Sequence, residues 1–146
     1  GWRWVAVRTG YDLRVYVYEE EVPAALNADL RGLPECRDSY TAAEALLPEL
    51  FATSDVLTTD PEAADYYLVP LMTECYVADK LRRGWRASEA VAGLNRAVSY
   101  ALDQVQARRP HWDRADGRDH LFVFPSERGA SVLSDANLQR VRKSVF

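Results

Sequence analysis

Several large classes of proteins are excluded by what this sequence does not contain. No apolar run approaches the ~20 residues that a transmembrane helix needs. The glycine-rich GxGxxG and Walker sequences, which bind phosphate groups, are missing, and so is the GxSxG sequence of serine hydrolases. The 18 lysines and arginines are spread along the chain and leave a net charge of -4, whereas nucleic-acid binding needs a concentrated basic surface. We therefore expect no nucleic-acid partner.

Cysteine and histidine are scarce, and neither is spaced as a metal site requires. The two cysteines, Cys36 and Cys75, form no CxxC pair. They are compatible with one disulfide, with two buried free thiols or with a single reactive thiol, and composition does not choose among these alternatives. His120 begins an apolar run beside Asp119, so we expect a neutral imidazole held by hydrogen bonds. His111 follows a proline, and we expect it to be solvated.

The apolar pattern predicts a single domain, 1–146, in which strands and helices alternate. Hydrophobic residues make up 48% of the chain, enough to bury a substantial core. Three segments rich in β-branched and aromatic residues are predicted to be strands. Apolar residues alternate at 13–18, and continuous apolar runs of strand length occur at 65–71 and 120–124. Apolar residues three and four apart indicate helices at about 42–52, 89–108 and 135–143. This order predicts an α/β fold with a Rossmann-like parallel sheet and helices on both faces.

The ends of the predicted elements carry specific signals. Thr41 and Glu44 form a capping-box pattern, and Ser88 precedes the longest helix. Pro48 lies inside the first predicted helix, so we expect a kink there or a later helix start. The apolar Val145 suggests that a further strand begins near that residue. Residues 22–40 are irregular, although Leu26 and Leu30 could lie on a short helical turn, and no regular element is predicted at 76–88.

Polar residues follow each predicted strand, at the points where ligands bind in parallel sheets. In such sheets the carboxyl ends of the strands form one edge, and ligands bind in the crevice beyond it. Three loops should therefore converge there, and we predict that their polar residues bind substrate. The six residues are Tyr18, Glu19, Thr73, Ser126, Arg128 and Gly129. The loop at 125–129 is the most suggestive, although a plain strand-to-helix turn would have the same composition.

Strings of the sequence resemble, in the same order, segments of the exostosin-like glycosyltransferases, with the plant and algal branch most similar. The opening strand VYVY at 15–18 fits this family. The other strings are DPEAADYYLVP at 60–70, TEC at 73–75, PHWDR at 110–114 and GRDHLFVFP at 117–125. The last string is the most specific. The resemblance covers about residues 13–146, with loose loops at 22–40 and 76–88.

This resemblance implies the two-domain GT-B fold, in which two Rossmann-like halves face each other across a cleft. The chain would be the N-terminal half and would supply the acceptor side and the cleft wall. A nucleotide-sugar would bind mainly to a C-terminal half outside this chain, and a glycan or glycoprotein would be the acceptor. No metal or other cofactor is implied, because helix dipoles and basic side chains are able to stabilise the leaving diphosphate.

The resemblance also implies a cellular setting, and the predicted strand-end loops that would face the cleft offer candidate catalytic residues. The parent would be a type II membrane protein of the Golgi, with this domain in the lumen and the anchor outside this chain. The lumen is oxidising, so Cys36 and Cys75 could be paired. Glu74 and Glu127 are candidate bases, since a carboxylate facing the cleft could deprotonate an acceptor hydroxyl. We expect the parent polypeptide to continue beyond this chain, and the fragment alone to be inactive.

Two other functions remain open from the sequence. The chain could be a non-catalytic exostosin-like module that binds a glycan or has a structural role. It could also be an unrelated nucleotide-binding or regulatory α/β domain, an alternative that rests on fold analogy and is weakened by the missing glycine-rich loop.

Overall fold

A small parallel sheet lies at the centre of the domain. The computed structural model describes residues 13–107 and 110–146. Within them, three strands pair in parallel in the order β1–β2–β3. They are β1 (Val15–Val17), β2 (Tyr66–Leu68) and β3 (His120–Leu121). The predicted α/β architecture with a parallel sheet is confirmed at this level.

Each edge of the sheet is extended by a single bridging residue. Leu57 pairs in parallel with Val15 of β1, and Val145 pairs in parallel with Leu121 of β3. The pairing of Val145 agrees with the expectation that a strand begins near it.

The strands are shorter than the sequence predicts. After β2, Pro70 has no N–H to donate to a neighbouring strand. The N–H of Leu71 instead closes a turn onto the carbonyl of Val69 at 2.9 Å. This turn ends the ladder and directs the chain into the next helix.

Helices connect the strands and pack around them. The α-helices of the described residues are α1 (Ala28–Arg31), α2 (Pro34–Arg37), α3 (Ala43–Ala52), α4 (Thr73–Arg82), α5 (Ala87–Leu102), α6 (His111–Arg114) and α7 (Asp135–Val141). A π-helical segment, Asp103–Ala107, extends α5, and short 3-10 turns occur at Ala24–Leu26, Pro61–Ala63 and Gly129–Val132. Throughout 13–107 and 110–146, no helix has the length and apolar character needed to cross a membrane.

The helix α3 was predicted correctly in extent but not in its capping. It begins at Ala43 and runs through Pro48 without ending. Its N-cap is Ala42, which has no side chain able to cap, so the predicted capping box of Thr41 and Glu44 is wrong. Glu44 instead reaches across to the start of α4, as described below.

The helix α4 was missed, because the sequence analysis placed loops over most of its length. Its end is nevertheless marked: Gly84 has a φ of +92°, the left-handed conformation that glycine supplies just beyond a helix. The following helix α5 begins at Ala87 with Arg86 as its N-cap, so the prediction that Ser88 caps this helix is wrong. The end predicted for α5, Arg108, lies outside the described residues.

Alternate residues of β1 face two different parts of the core. Val15 and Val17 face a small cluster on one side of the sheet, against which Phe51 of α3 packs. Tyr18 and Tyr67 face the larger core on the other side, which also includes the buried residues of α4 and α5. Helices therefore pack on both faces of the sheet.

Candidate functional site

Two of the three predicted loops meet at the carboxyl edge of the sheet. Glu74 lies in the first turn of α4, after β2, and Ser126 and Arg128 lie in the loop after β3. The Glu74 Oε1 atom accepts hydrogen bonds from Ser126 Oγ and from Arg128 Nε, both at 2.8 Å. Arg128 Nη2 donates to Glu74 Oε2 at 3.0 Å. We call Glu74, Ser126 and Arg128 the edge cluster.

The electrostatics of the edge cluster favour an ionised pair. Burial alone would raise the pKa of Glu74, but hydrogen bonds from Arg128 and Ser126 outweigh it, and the pKa lies below its ordinary value. The hydrogen bond to Glu74 in turn raises the pKa of Arg128. The Glu74 side chain is 14% exposed and that of Arg128 is 40% exposed. Glu74 therefore holds Arg128 and Ser126 in place while part of the guanidinium stays open to solvent.

Glu127 and Gly129 flank Arg128 in the same loop. Glu127 is exposed and makes no hydrogen bond or ion pair with the residues that the structure describes. Gly129 has a φ of +53°, which lets the chain turn sharply into the following 3-10 helix. A Cβ at this glycine would meet no heavy atom within 4 Å, so the space beside the loop is open.

The first predicted loop is directed elsewhere. Tyr18 is fully buried, and its hydroxyl contacts His120 in the core, so the prediction that Tyr18 binds substrate is corrected. Glu19 is exposed but is engaged by Arg31, with a salt bridge of 3.2 Å, and by Asn27. Its described contacts tie it to the segment around α1 and do not bring it to the edge cluster.

A buried carboxylate that the sequence analysis did not predict lies behind the edge cluster. Glu44 is 3% exposed, and its Oε1 atom accepts the backbone N–H of Cys75 at 2.6 Å. Its Oε2 atom accepts from the backbone N–H of Glu74 at 3.3 Å and from Thr73 Oγ1 at 3.4 Å. Glu44 thus satisfies free donors of the first turn of α4, a role that cap residues usually take from the adjacent sequence.

The position of Glu44 corrects the prediction for Thr73 and shifts the pKa of Glu44 itself. Thr73, predicted to bind substrate, is fully buried and donates to Glu44 instead. Burial raises the pKa of Glu44 to about 7, although its hydrogen bonds from Cys75 and Glu74 act in the opposite direction. The carboxyl group that titrates near neutral pH is therefore a buried group behind the site.

A disulfide reinforces the same turn. Cys36 of α2 is bonded to Cys75 of α4, with 5.2 Å between their Cα atoms. Of the alternatives open from composition, the structure contains the disulfide. Since Cys75 follows Glu74 directly, the bond fixes α2 against the turn that carries the edge cluster.

Comparison with known sequences identifies the domain. The profile of the Exostosin GT47 domain matches residues 10–145. The chain belongs to this family. No solved structure matches it.

Relatives of this exostosin domain occur among plant enzymes. A probable glucuronoxylan glucuronosyltransferase of Arabidopsis thaliana is 32% identical over 122 residues, which cover 81% of the chain and 24% of the relative. A probable beta-1,4-xylosyltransferase of the same organism is 33% identical over 119 residues, covering 81% and 27%. Probable glucuronosyltransferase 47 A of Physcomitrium patens is 31% identical over 117 residues, covering 79% and 24%. The chain spans about a quarter of the length of these curated relatives.

The string GRDHLFVFP places a histidine in the core of this exostosin domain. His120 is fully buried, and its Nδ1–H donates to Asp119 Oδ1 at 2.8 Å. Its Nε2 atom lies 2.9 Å from the hydroxyl of Tyr18, which donates to it. Burial lowers the pKa of His120, so the ring is neutral at physiological pH. The expected neutral, hydrogen-bonded histidine is confirmed, and it supports the fold at the amino end of β3.

The other histidine of the exostosin domain was predicted wrongly. His111 is 5% exposed, and its ring stacks on that of Tyr67 with 5.5 Å between centroids. The short helix α6 turns this side chain inward, together with that of Trp112. Within 13–107 and 110–146, no group of three or more histidine, cysteine, aspartate or glutamate side chains could hold a metal ion.

Proposed function

We propose that this domain forms the acceptor side of a glycosyltransferase that moves a sugar from a nucleotide-sugar to a glycan or glycoprotein acceptor. The observation that carries the proposal is the match of the Exostosin GT47 family over residues 10–145. Relatives that share 31–33% identity with the chain are named as glucuronosyl- and xylosyltransferases. Nucleotide-linked glucuronic acid and xylose are therefore the donors to test first.

The proposed architecture is the GT-B fold, with residues 1–146 as one Rossmann-like domain. A second domain of the longer protein would bind most of the nucleotide-sugar and face this one across a cleft. The parallel sheet supports this arrangement, because ligands of such sheets bind beyond the carboxyl ends of the strands.

The edge cluster is the proposed acceptor contact. Arg128 uses Nε and Nη2 to bind Glu74, and its Nη1 atom has no hydrogen-bond partner among the described residues. That remaining donor, the Ser126 hydroxyl and the open space beside Gly129 suit the hydroxyl groups of a sugar. Glu19, also predicted to bind substrate, would contribute only if the acceptor reached beyond the edge cluster.

Of the two candidate bases, the contacts favour Glu127. A base needs an unoccupied carboxylate oxygen within hydrogen-bond reach of the acceptor hydroxyl. Both oxygens of Glu74 accept hydrogen bonds within the edge cluster, whereas Glu127 is exposed and unpaired among the described residues. We assign proton abstraction to Glu127 and the positioning of Arg128 to Glu74.

The proposed location is the Golgi lumen, in a single-pass type II membrane protein whose anchor lies outside this chain. The disulfide between Cys36 and Cys75 supports an oxidising compartment of this kind. The plant glycosyltransferases to which the chain is similar also favour it.

The test is a transfer assay with the full-length protein, produced in a secretory host so that the disulfide forms. Nucleotide-linked glucuronic acid and xylose are each incubated with xylan-derived oligosaccharides, and products are separated by mass. Lengthening of the acceptor by one sugar is the expected result. A folded protein that binds these oligosaccharides but transfers no sugar from a panel of nucleotide-sugars would instead be a non-catalytic glycan-binding module.

A further inference from the structure

Tyr40 is an aromatic side chain that the fold leaves almost entirely in water. It is 86% exposed, compared with 56% for Tyr100 and 38% for Trp85. A single exposed hydrophobic side chain is common on protein surfaces and has no meaning alone. The position of Tyr40 is informative because of what holds its turn.

The turn that carries Tyr40 is fastened at both ends to the same place. Four residues before it, Cys36 is joined by the disulfide to Cys75. Four residues after it, Glu44 accepts the backbone N–H of the same Cys75 at 2.6 Å. A disulfide and a buried carboxylate thus anchor residues 36–44 to the first turn of α4, beside Glu74.

The turn is also ordered internally. The hydroxyls of Ser39 and Thr41, on either side of Tyr40, are 2.9 Å apart, and Ser39 Oγ accepts the backbone N–H of Thr41 at 3.2 Å. The backbone on both sides of Tyr40 is therefore ordered, although the aromatic ring itself is exposed to solvent. Prior ordering of this kind reduces the entropy lost when a ligand binds.

Tyr40 lies on the same side of the domain as the edge cluster. The pKa of Arg128 is raised chiefly by its hydrogen bond to Glu74, and Tyr40 adds a smaller electrostatic contribution in the same direction. Both anchors of the Tyr40 turn bind Cys75, the residue that follows Glu74, so the turn itself lies beside the edge cluster. An exposed ring, a guanidinium and a serine hydroxyl are thus gathered at one edge.

This combination matches the chemistry of a pyranose ring. Each face of the sugar presents C–H groups that lie against an aromatic ring, while its equatorial hydroxyls accept from and donate to polar side chains. We propose that the ring of Tyr40 is the platform on which a sugar residue of the acceptor glycan stacks, while Arg128 and Ser126 bind its hydroxyl groups. The inference rests on the proposed transferase function and names a specificity-determining residue for it.

The test compares substitutions of Tyr40 in the full-length protein. Tyr40→Ala should raise the KM for a xylan-derived acceptor by about tenfold, the size expected for the loss of one aromatic contact, and leave kcat within about twofold. Tyr40→Phe and Tyr40→Trp should restore the acceptor KM, since the ring is what matters. The matched control is Tyr100→Ala, which removes an exposed tyrosine from α5 and should leave the KM unchanged.

Two further measurements separate this inference from the proposed function. Hydrolysis of the nucleotide-sugar without acceptor should be the same in Tyr40→Ala and wild type, because the platform contacts only the acceptor. The binding of the xylan-derived oligosaccharide, measured by calorimetry, should weaken by a similar factor in Tyr40→Ala whether or not transfer is detected. If Tyr40→Ala and the wild type have equal acceptor KM values and bind the oligosaccharide equally, the proposal that Tyr40 stacks on the acceptor is wrong. If those same proteins still transfer sugar, the proposed function stands.

Discussion

The carboxylate of Glu44 in α3 lies 2.6 Å from the backbone nitrogen of Cys75 in α4, so one helix caps the start of another. The two residues are 31 positions apart in the chain. The carboxylate is withdrawn from solvent to make this contact, and burial raises its pKa to about 7. The start of α4, and with it Glu74, is therefore sensitive to the ionisation of a buried group.

Glu44→Gln should change the pH dependence of stability in a defined direction. The folded-state pKa of Glu44 lies above its ordinary value of 4.5, so its ionisation opposes folding as the pH rises from about 4.5 to about 7. Glutamine resembles the protonated acid but does not titrate. The free energy of unfolding of the wild type should thus fall relative to that of the variant across this window, by on the order of 3 kcal/mol at about 1.4 kcal/mol per pKa unit.

The measurement is urea denaturation at a series of pH values, with Glu49→Gln as the control. Glu49 lies in the same helix, but its hydrogen bonds from Arg37 lower its pKa. Ionised Glu49 stabilises the folded state above the unfolded-state pKa, and this stabilisation is lost as the pH falls. The change of stability with pH therefore has the opposite sign to that caused by Glu44. If the difference in unfolding free energy between the wild type and Glu44→Gln is constant between pH 4.5 and 7, the pH dependence is not due to Glu44.

Removal of the disulfide should destabilise the domain strongly. Cys36 and Cys75 are 39 residues apart, and a cross-link closing a loop of this length is expected to contribute about 4 kcal/mol through the entropy of the unfolded chain. The free energy of unfolding of the Cys36→Ser/Cys75→Ser variant should be lower by that amount, so the variant should unfold at a lower urea concentration. Its hydrogen exchange should also increase in residues 36–44 more than in α7, since the disulfide fastens the first segment and not the second. Equal increases in both segments would show that the bond has no local anchoring role.

Features that depend on neighbouring residues could be predicted from the sequence. The Asp60-Pro61 pair is typical of a capped turn, and in the structure the Asp60 side chain accepts the Glu62 N–H at 3.0 Å. The extent of α3 follows from local periodicity, and the parallel arrangement of the strands follows from the alternation of strands with helices. Such signals act within one or two turns of the chain, which is the range that sequence patterns describe.

Features that depend on distant residues could not be predicted. Glu44 looked like part of a local capping box, but its partners lie about thirty residues away, and no spacing rule connects them. Tyr18 stands at the end of a strand, where the sequence favours a ligand contact. Its hydroxyl instead bonds to His120, 102 positions along the chain. For the edge cluster, the strand-end rule brought Glu74 and Arg128 to one edge but gave no indication that they pair.

Gly117→Ala should be among the most damaging single substitutions in the domain. Gly117 has a φ of +77°, and an added Cβ would overlap the indole ring of Trp112. Trp112 packs against His120, with 4.5 Å between ring centroids, so any movement of the indole disturbs the buried histidine. We expect a loss of about 3 kcal/mol or more, from backbone strain and overpacking together.

The matched control for this substitution is Gly32→Ala. Gly32 has a φ of -87°, and an added Cβ there would meet no heavy atom within 4 Å. Its replacement should change the unfolding free energy by less than about 1 kcal/mol. Thermal unfolding of both variants measures the difference, and similar midpoints would contradict the packing seen at Gly117.

Glu127→Gln and Glu74→Gln should affect sugar transfer by the full-length protein in different ways. If Glu127 takes the proton from the acceptor hydroxyl, its replacement lowers kcat by about 100-fold or more and leaves the acceptor KM nearly unchanged. Glu74→Gln removes the charge that holds Arg128, so the acceptor KM should rise, and the loss in kcat should be smaller. Glu89→Gln, on the exposed surface of α5, controls for the removal of a negative charge and should leave both constants unaltered. A Glu127→Gln variant that retains the wild-type kcat would exclude Glu127 as the base, and a selective loss of kcat in Glu74→Gln would assign that role to Glu74.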